Sequence, residues 1–146
     1  PFEIIEILSE AGADLNRTIM GHIERTIFKL EDFKRVAESG CYVEWDLFGT
    51  ERSYYSANTK IDMPSDATRM DQIAYLASEG FGDKLVVAHD ICSKERLLKY
   101  GGHGYFYIIS HIVPRMRARG YSEELIQNIL VDNPARILTF ADPKSD

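Results

Sequence analysis

Three stretches of the chain combine apolar and β-branched residues over the length of a strand and then end on polar groups. The longest runs from Lys84 to Asp90, and the other two cover Arg17–His22 and Cys41–Asp46. Apolar runs of this length, bounded by turn residues, are typical of buried parallel strands. We therefore predict three parallel strands.

The segments around these strands carry apolar residues at helical spacing. Gly12 and Gly40 stand where two of the helices should end, and Ser65 and Ser122 stand where two others should begin. The predicted helices cover Phe2–Leu8, Leu30–Ser39, Pro64–Ala77, Tyr105–Arg119 with an interruption at Pro114, Ser122–Asp132, and a short closing helix that starts at Pro134. Residues 141–146 are predicted to form a polar tail.

Strands that alternate with helices predict a parallel α/β sheet. A complete (β/α)8 barrel has eight strands and about 250 residues, whereas this chain has 146 residues. The pattern alone therefore predicts either a small three-stranded α/β unit or the last part of a barrel, in both cases as one unit over residues 1–146. A polar loop after the second strand and the glycine-rich stretch Ile91–Gly104 are long enough to be functional.

Composition and charge exclude several classes of protein. Hydrophobic residues make up 45% of the chain, and the formal net charge of -6 contains no block of like charges. This balance argues against nucleic-acid and anionic-membrane partners, and no apolar run approaches membrane-spanning length. The first residues show no signal-peptide pattern. Because it also lacks an initiator Met, we expect it to begin within a longer protein.

Cys41 and Cys92 fall at opposite ends of two predicted strands. A strand of five or six residues separates these levels by roughly 15–20 Å, whereas a disulfide tolerates about 7 Å between Cα atoms. We therefore expect free thiols and a reducing compartment, the cytoplasm.

Each predicted strand ends on groups that can bind a metal or transfer a proton: Gly21–His22, Glu44–Asp46 and His89–Asp90. In parallel α/β folds these ends meet at one edge, which is where ligands bind. Imidazole and carboxylate ligands suit Zn, Mn or Fe, and a carboxylate beside a metal-bound water can take its proton. Asp90 is either such a group or the N-cap of a following helix.

Four motifs stand in order along the chain: Thr18–His22, Leu85–Asp90, Ile112–Pro114 with Arg119–Tyr121, and Asn133–Arg136. Together they resemble the phosphotriesterase family of the amidohydrolase superfamily. The details of Gly21–Arg25 and Val43–Gly49 look most like the phosphotriesterase-related branch of that family. The resemblance implies that the chain corresponds to strands six, seven and eight of a TIM (β/α)8 barrel.

The resemblance implies a binuclear site with two divalent ions, expected to be zinc, that acts through a metal-bound hydroxide. His22 matches the ligand of the more exposed metal, and Asp90 matches the ligand of the more buried metal that also takes the proton of the bridging hydroxide. Asp46 matches the acid at the floor of the substrate pocket. The loops after strands seven and eight would shape that pocket and bring His103 to it, together with Tyr54 and Tyr55. The family's remaining ligands would lie upstream, so we expect the isolated chain to be inactive.

Two departures from the phosphotriesterases proper bear on the substrate. Leu47 and Arg25 stand where those enzymes carry the groups of a proton relay. Phosphotriester or lactone hydrolysis is therefore an alternative hypothesis and not the leading one. The related branch is associated with small N-acyl amides such as N-acetyltaurine, whose anionic end Arg25 could bind. A non-catalytic binding protein derived from the barrel is the other alternative. The expected partner is a small molecule, and a homo-oligomer is compatible with the sequence.

Overall fold

A computed structural model describes residues 1–140 as a mixed α/β fold, and the predicted polar tail at 141–146 lies outside the described residues. The central sheet has three parallel strands: β1 (Ile19–Met20), β2 (Tyr42–Trp45) and β5 (Leu85–Val87). Their order in the sheet follows their order in the chain. The predicted parallel α/β sheet is confirmed, with strands shorter than the apolar runs.

The register of the sheet brings the three strand ends together. Met20 pairs with Val43, and Trp45 pairs with Val87. The backbone pairing continues past β5, because the Ala88 N–H donates to the Trp45 carbonyl at 2.9 Å. The polar residues that follow each strand therefore emerge at one edge of the sheet.

Three α-helices cover the sheet as the sequence predicts: α1 (Phe2–Glu10), α2 (Leu30–Glu38) and α3 (Asp66–Ser78). Gly12 and Gly40 have the left-handed backbone that follows a helix, with φ of 78° and 99°. Ser65 caps α3 by accepting a hydrogen bond from the Thr68 N–H at 3.2 Å. Local signals fixed these boundaries to within a few residues.

The prolines do not interrupt the last two helical segments, which corrects the prediction of breaks at Pro114 and Pro134. A π-helical turn precedes each proline, at Ile108–Ile112 and at Asn128–Asp132. The helices then continue as α4 (Val113–Ala118), and as α6 (Asn133–Leu138) after α5 (Glu123–Gln127). Proline lacks an N–H and crowds the carbonyl four residues earlier, and the wider π turn accommodates it without a break.

The predicted polar loop after β2 contains a hairpin that the sequence pattern did not reveal. Its strands are β3 (Tyr54–Tyr55) and β4 (Asn58–Asp62), which pair antiparallel outside the main sheet. This hairpin stands beside the carboxyl edge of the sheet, where its tyrosines line a cavity.

The core lies between the sheet and its helices. Trp45 is fully buried and stacks on Phe33 of α2, with ring centroids 5.5 Å apart. Its indole N–H donates to Gln72 Oε1 of α3 at 2.9 Å, so the buried polar group is satisfied. This contact fastens β2, the central strand, to two helices.

Two further expectations concern the cysteines and membranes. Cys41 is buried and Cys92 is exposed, and both are free thiols as predicted. In residues 1–140 no helix is both long enough and apolar enough to cross a bilayer.

Candidate functional site

His22 and Asp46 meet at the carboxyl edge of the sheet. His22 lies two residues after the end of β1 in a left-handed conformation, with φ of 52°, and its backbone N–H faces Asp46 at the end of β2. Asp46 Oδ2 accepts that N–H at 2.9 Å, and Asp46 Oδ1 lies 2.9 Å from His22 Nδ1. The Asp46 side chain is 11% exposed, whereas the His22 side chain is 42% exposed. A buried carboxylate therefore fixes an imidazole whose other nitrogen, Nε2, is left for a ligand.

Three further carboxyl groups lie around this pair. Burial, and then the charges of Asp46, Glu24 and Asp90, raise the pKa of the Glu44 carboxyl to about 7. His22 acts in the opposite direction on the same group. Burial and the charge of Asp46 also raise the pKa of Glu24. The edge of the sheet is thus an acidic cluster that favours a cation or retains protons.

The backbone at Gly21 leaves this cluster open. A Cβ at Gly21 would lie 3.0 Å from both Asp46 Oδ2 and Glu44 Oε2. Such a contact is tighter than ordinary packing, so glycine at this position keeps two carboxylates close to the backbone in front of His22.

Asp90 follows β5 and is held by Arg96. It has a left-handed backbone, with φ of 47°, and Arg96 Nη1 contacts both its carbonyl oxygen and its carboxylate, the latter at 3.3 Å. Asp90 caps no helix within the described part of the chain, and Ser93 occupies the residue before the next helical turn. Of the two predicted roles for Asp90, the helix cap is therefore wrong.

The conformation of Arg96 depends on the glycine-rich stretch that follows. The Gly104 N–H donates to the Arg96 carbonyl at 2.8 Å. A Cβ at Gly102 would lie 2.1 Å from the Arg96 carbonyl carbon, so glycine is required at this position.

A cavity of about 240 Å³ adjoins Asp90 at the same edge of the sheet. Arg25, Arg52 and Arg96 line it together with Tyr54 and Tyr55 of the hairpin. The Arg25 guanidinium lies over the Tyr55 ring, 4.8 Å from its centroid. The structure thus brings Arg25 and Asp90, two of the predicted site residues, to one cavity.

His103 lines a neighbouring cavity with Gly49 and does not line the one beside Asp90. Its ring lies between those of His89 and Tyr107, with centroid distances of 6.0 and 5.5 Å. Burial lowers the pKa of both His89 and His103, which favours neutral rings. His103 therefore packs behind the loop that carries Gly49.

The arrangement of His22 fits a metal ligand, although the described residues provide only part of a ligand set. Metal-binding histidines commonly donate their second ring N–H to a carboxylate, as His22 Nδ1 can to Asp46. No group of three or more His, Cys, Asp or Glu side chains within residues 1–140 has the spacing to hold a metal ion.

Comparison with known proteins identifies the family of this chain. A model of the phosphotriesterase family matches residues 1–138. The chain belongs to the phosphotriesterase family. The resemblance predicted from its motifs is confirmed.

The relatives within the phosphotriesterase family are longer than this chain. The N-acetyltaurine hydrolase of Mus musculus is 49% identical over 140 residues, which cover 96% of this chain and 40% of that protein. The phosphotriesterase-related protein of Nematostella vectensis is 53% identical over 140 residues, which again cover 96% of this chain and 40% of that protein. The chain therefore spans 40% of the length of these two relatives.

The structural comparison agrees with this assignment. The crystal structure of a resiniferatoxin-binding protein from Rhodobacter sphaeroides superposes with a TM-score of 0.87 at 29% sequence identity. The superposition covers 93% of this chain and 37% of that one. The fold of this phosphotriesterase-family chain is thus shared with solved TIM-barrel members of the family.

A buried ionic network behind the site of this phosphotriesterase-family chain escaped sequence analysis. Arg69 is fully buried and donates to Glu24 at 3.1 Å, to Asp66 at 2.7 Å and to the Thr50 carbonyl at 3.1 Å. Glu24 also accepts the Leu47 N–H at 3.1 Å. Arg69 lies at helical spacing from the buried apolar residues Ile73 and Leu76 of α3, and this spacing could have indicated a buried charge.

Proposed function

We propose that the whole protein carrying this chain is a metal-dependent hydrolase of small N-acyl amides, with N-acetyltaurine as its leading substrate. The observation that carries the proposal is the His22–Asp46 pair at the carboxyl edge of the sheet, where Asp46 leaves His22 Nε2 for a ligand. Two relatives support the class of substrate and the family, since one is an N-acetyltaurine hydrolase and the other a phosphotriesterase-related protein.

The chain would form one α/β unit over residues 1–146 and correspond to the last three βα units of a (β/α)8 barrel. His22 and Asp90 would hold a pair of divalent ions, zinc in this proposal, with ligands from the rest of the whole protein. The isolated chain would then be inactive. Its free thiols support a cytoplasmic location.

Divalent ions bound at such an edge supply Lewis acidity and make a bound water more acidic. The residues of this chain do the remaining work. Asp46 holds the His22 imidazole in one tautomer and orientation. Asp90, fixed by Arg96, accepts the proton of the attacking water and returns it to the leaving nitrogen as the acyl C–N bond breaks. The second proton of the water also passes to the nitrogen, so the products are a carboxylate and a protonated amine.

The test is hydrolysis of N-acetyltaurine by the whole protein, followed as released taurine, before and after removal of divalent ions with a chelator. Asp46→Asn should lower kcat/KM and metal affinity by about 10- to 100-fold, because it removes the carboxylate that orients a metal-binding histidine. Asp71→Asn, on the exposed side of α3, is the matched control and should change neither.

Full activity and metal content in Asp46→Asn would remove the role proposed for this pair. Tight binding of small amides without any hydrolysis would favour the alternative, a binding protein derived from the barrel.

A further inference from the structure

The cavity beside Asp90 has an uneven distribution of charge. Three arginines, Arg25, Arg52 and Arg96, line it, and Asp90 is the acidic residue among its lining side chains. The whole chain has a formal net charge of -6, so a cavity with a surplus of cations runs against the balance of the molecule. The surplus points to a ligand with negative charge.

The three arginines differ in their partners. Arg96 is neutralised by Asp90, whose carboxylate lies 3.3 Å away. Neither Arg25 nor Arg52 takes part in an ion pair with another side chain of residues 1–140. The positive charge that a ligand can neutralise therefore lies at Arg25 and Arg52, while Asp90 marks another part of the same cavity.

Arg25 is also held in place before any ligand arrives. It lies in the helical turn Ile23–Arg25 that follows His22, and its guanidinium stacks over the Tyr55 ring of the hairpin at 4.8 Å. A stacked guanidinium loses less conformational freedom when it binds a ligand, and its planar fork matches oxyanions.

We propose that Arg25 and Arg52 form an anion subsite that binds the sulfonate or carboxylate tail of the substrate, with Tyr55 as the positioning residue for Arg25. The proposal rests on the function proposed above and adds the part of the site that selects the substrate. The acyl amide then lies towards Asp90.

The experiment compares three amides that share an acetyl group and a two-carbon spacer. N-acetyltaurine has a sulfonate tail, N-acetyl-β-alanine a carboxylate tail and N-acetylethanolamine a neutral hydroxyl. Binding to the whole protein is measured by calorimetry, and kcat and KM are measured separately. The variants are Arg25→Gln, Arg52→Gln, Tyr55→Phe and Tyr55→Leu, with Arg119→Gln on the outer surface as the matched control.

Arg25→Gln and Arg52→Gln should each weaken binding of the anionic amides and raise their KM by about 10- to 100-fold, with kcat nearly unchanged. The neutral amide should be unaffected. Tyr55→Phe keeps the ring and should match the parent, whereas Tyr55→Leu should lose part of the preference for anions. The order of the sulfonate and carboxylate amides in the parent identifies which tail the subsite prefers.

Equal binding of the anionic and neutral amides by the parent would overturn the subsite, as would equal losses for all three amides in both arginine variants. Loss of hydrolysis is a separate outcome. If no amide is cleaved but the anionic ones bind and the arginine variants lose them, the subsite stands and the hydrolase function fails. Arg52 is exposed, so its variant tests the subsite even if Arg25→Gln does not fold.

Discussion

Glu44 is a partly buried strand residue with negatively charged neighbours. Asp46, Glu24 and Asp90 oppose its charge, His22 favours it, and burial is the largest effect on its pKa of about 7. The carboxyl thus retains its proton near neutral pH unless a cation enters the cluster.

The pKa of Glu44 makes stability depend on pH in the metal-free protein. The folded state keeps this proton up to about pH 7, whereas the unfolded chain loses it near pH 4.5. The resulting stabilisation is present below pH 4.5 and is lost as the pH rises through 7. Solvent screening reduces the effect, so we expect Glu44→Gln to be more stable than the parent by about 1 to 2 kcal/mol at pH 8.

Urea unfolding of both proteins at pH 5 and pH 8, with a chelator present, measures this difference. Glu38→Gln, on the exposed end of α2, is the control. A difference between Glu44→Gln and the parent that does not change with pH would contradict the shifted pKa.

At this scale the sequence was informative about residue types but not about their surroundings. The placement of His22, Asp46 and Asp90 at the carboxyl edge of the sheet was predictable, because each follows a recognisable strand. The raised pKa of Glu44 was not, since its largest cause is burial, which depends on the fold, and since Glu24 and Asp90, distant in the chain, add to the charge of the nearby Asp46. The same limit applies to Arg96, whose role depends on the fold of the loop after β5.

Helix α3 is tied to the site through Arg69, the fully buried cation that joins Glu24 to Asp66. Replacing one member of a buried ionic network leaves its partners charged and unpaired, which costs about 3 to 5 kcal/mol. We therefore expect Arg69→Leu to lower the free energy of unfolding by this amount. Chemical denaturation of the parent and the variant provides the measurement.

Arg115→Gln is the matched control, because this half-exposed arginine lies 3.9 Å from the same Asp66 carboxylate. It should cost less than about 1 kcal/mol. Similar losses in the two variants would show that Arg69 stabilises the fold no more than an exposed charge does.

Elements with local signals were predictable, and elements set by tertiary contacts were not. Helices α1 to α3 carry caps and apolar faces that can be read from the chain. The β3–β4 hairpin has no such pattern, because β4 is exposed along nearly its whole length and lacks alternating apolar residues. The predicted helix breaks at Pro114 and Pro134 were wrong for another reason. The π turns that accommodate these prolines have no recognised sequence signal.

At the scale of the whole molecule, the parallel sheet has an edge at β1 and another at β5 within residues 1–140. Apolar side chains are exposed beside these edges, including Ile19 and Leu138, which share a surface groove. Unpaired edges and apolar surface promote association between chains. The 146-residue chain expressed alone should therefore self-associate. Because it carries only part of the proposed ligand set, it should also fail to hydrolyse N-acetyltaurine.

Sedimentation velocity at several concentrations measures the association, and taurine release measures activity. Ile19→Lys places a charge on the β1 edge and should shift the chain towards monomer, whereas Val131→Lys, an exposed position on the last helical segment, should have a smaller effect. A monodisperse 16.7 kDa species that releases taurine would contradict both expectations.

The contact between Arg96 and Asp90 also has a consequence for engineering. Loops at the carboxyl edge of a parallel sheet are commonly treated as interchangeable cassettes that alter specificity without disturbing the scaffold. Here the loop after β5 contains Arg96, whose guanidinium holds Asp90. The absence of a side chain at Gly102 lets the backbone of Arg96 take its place. A grafted loop must therefore contain an arginine and a glycine at the equivalent positions. Without them, the graft will change the position of the Asp90 carboxylate, which it was meant to preserve.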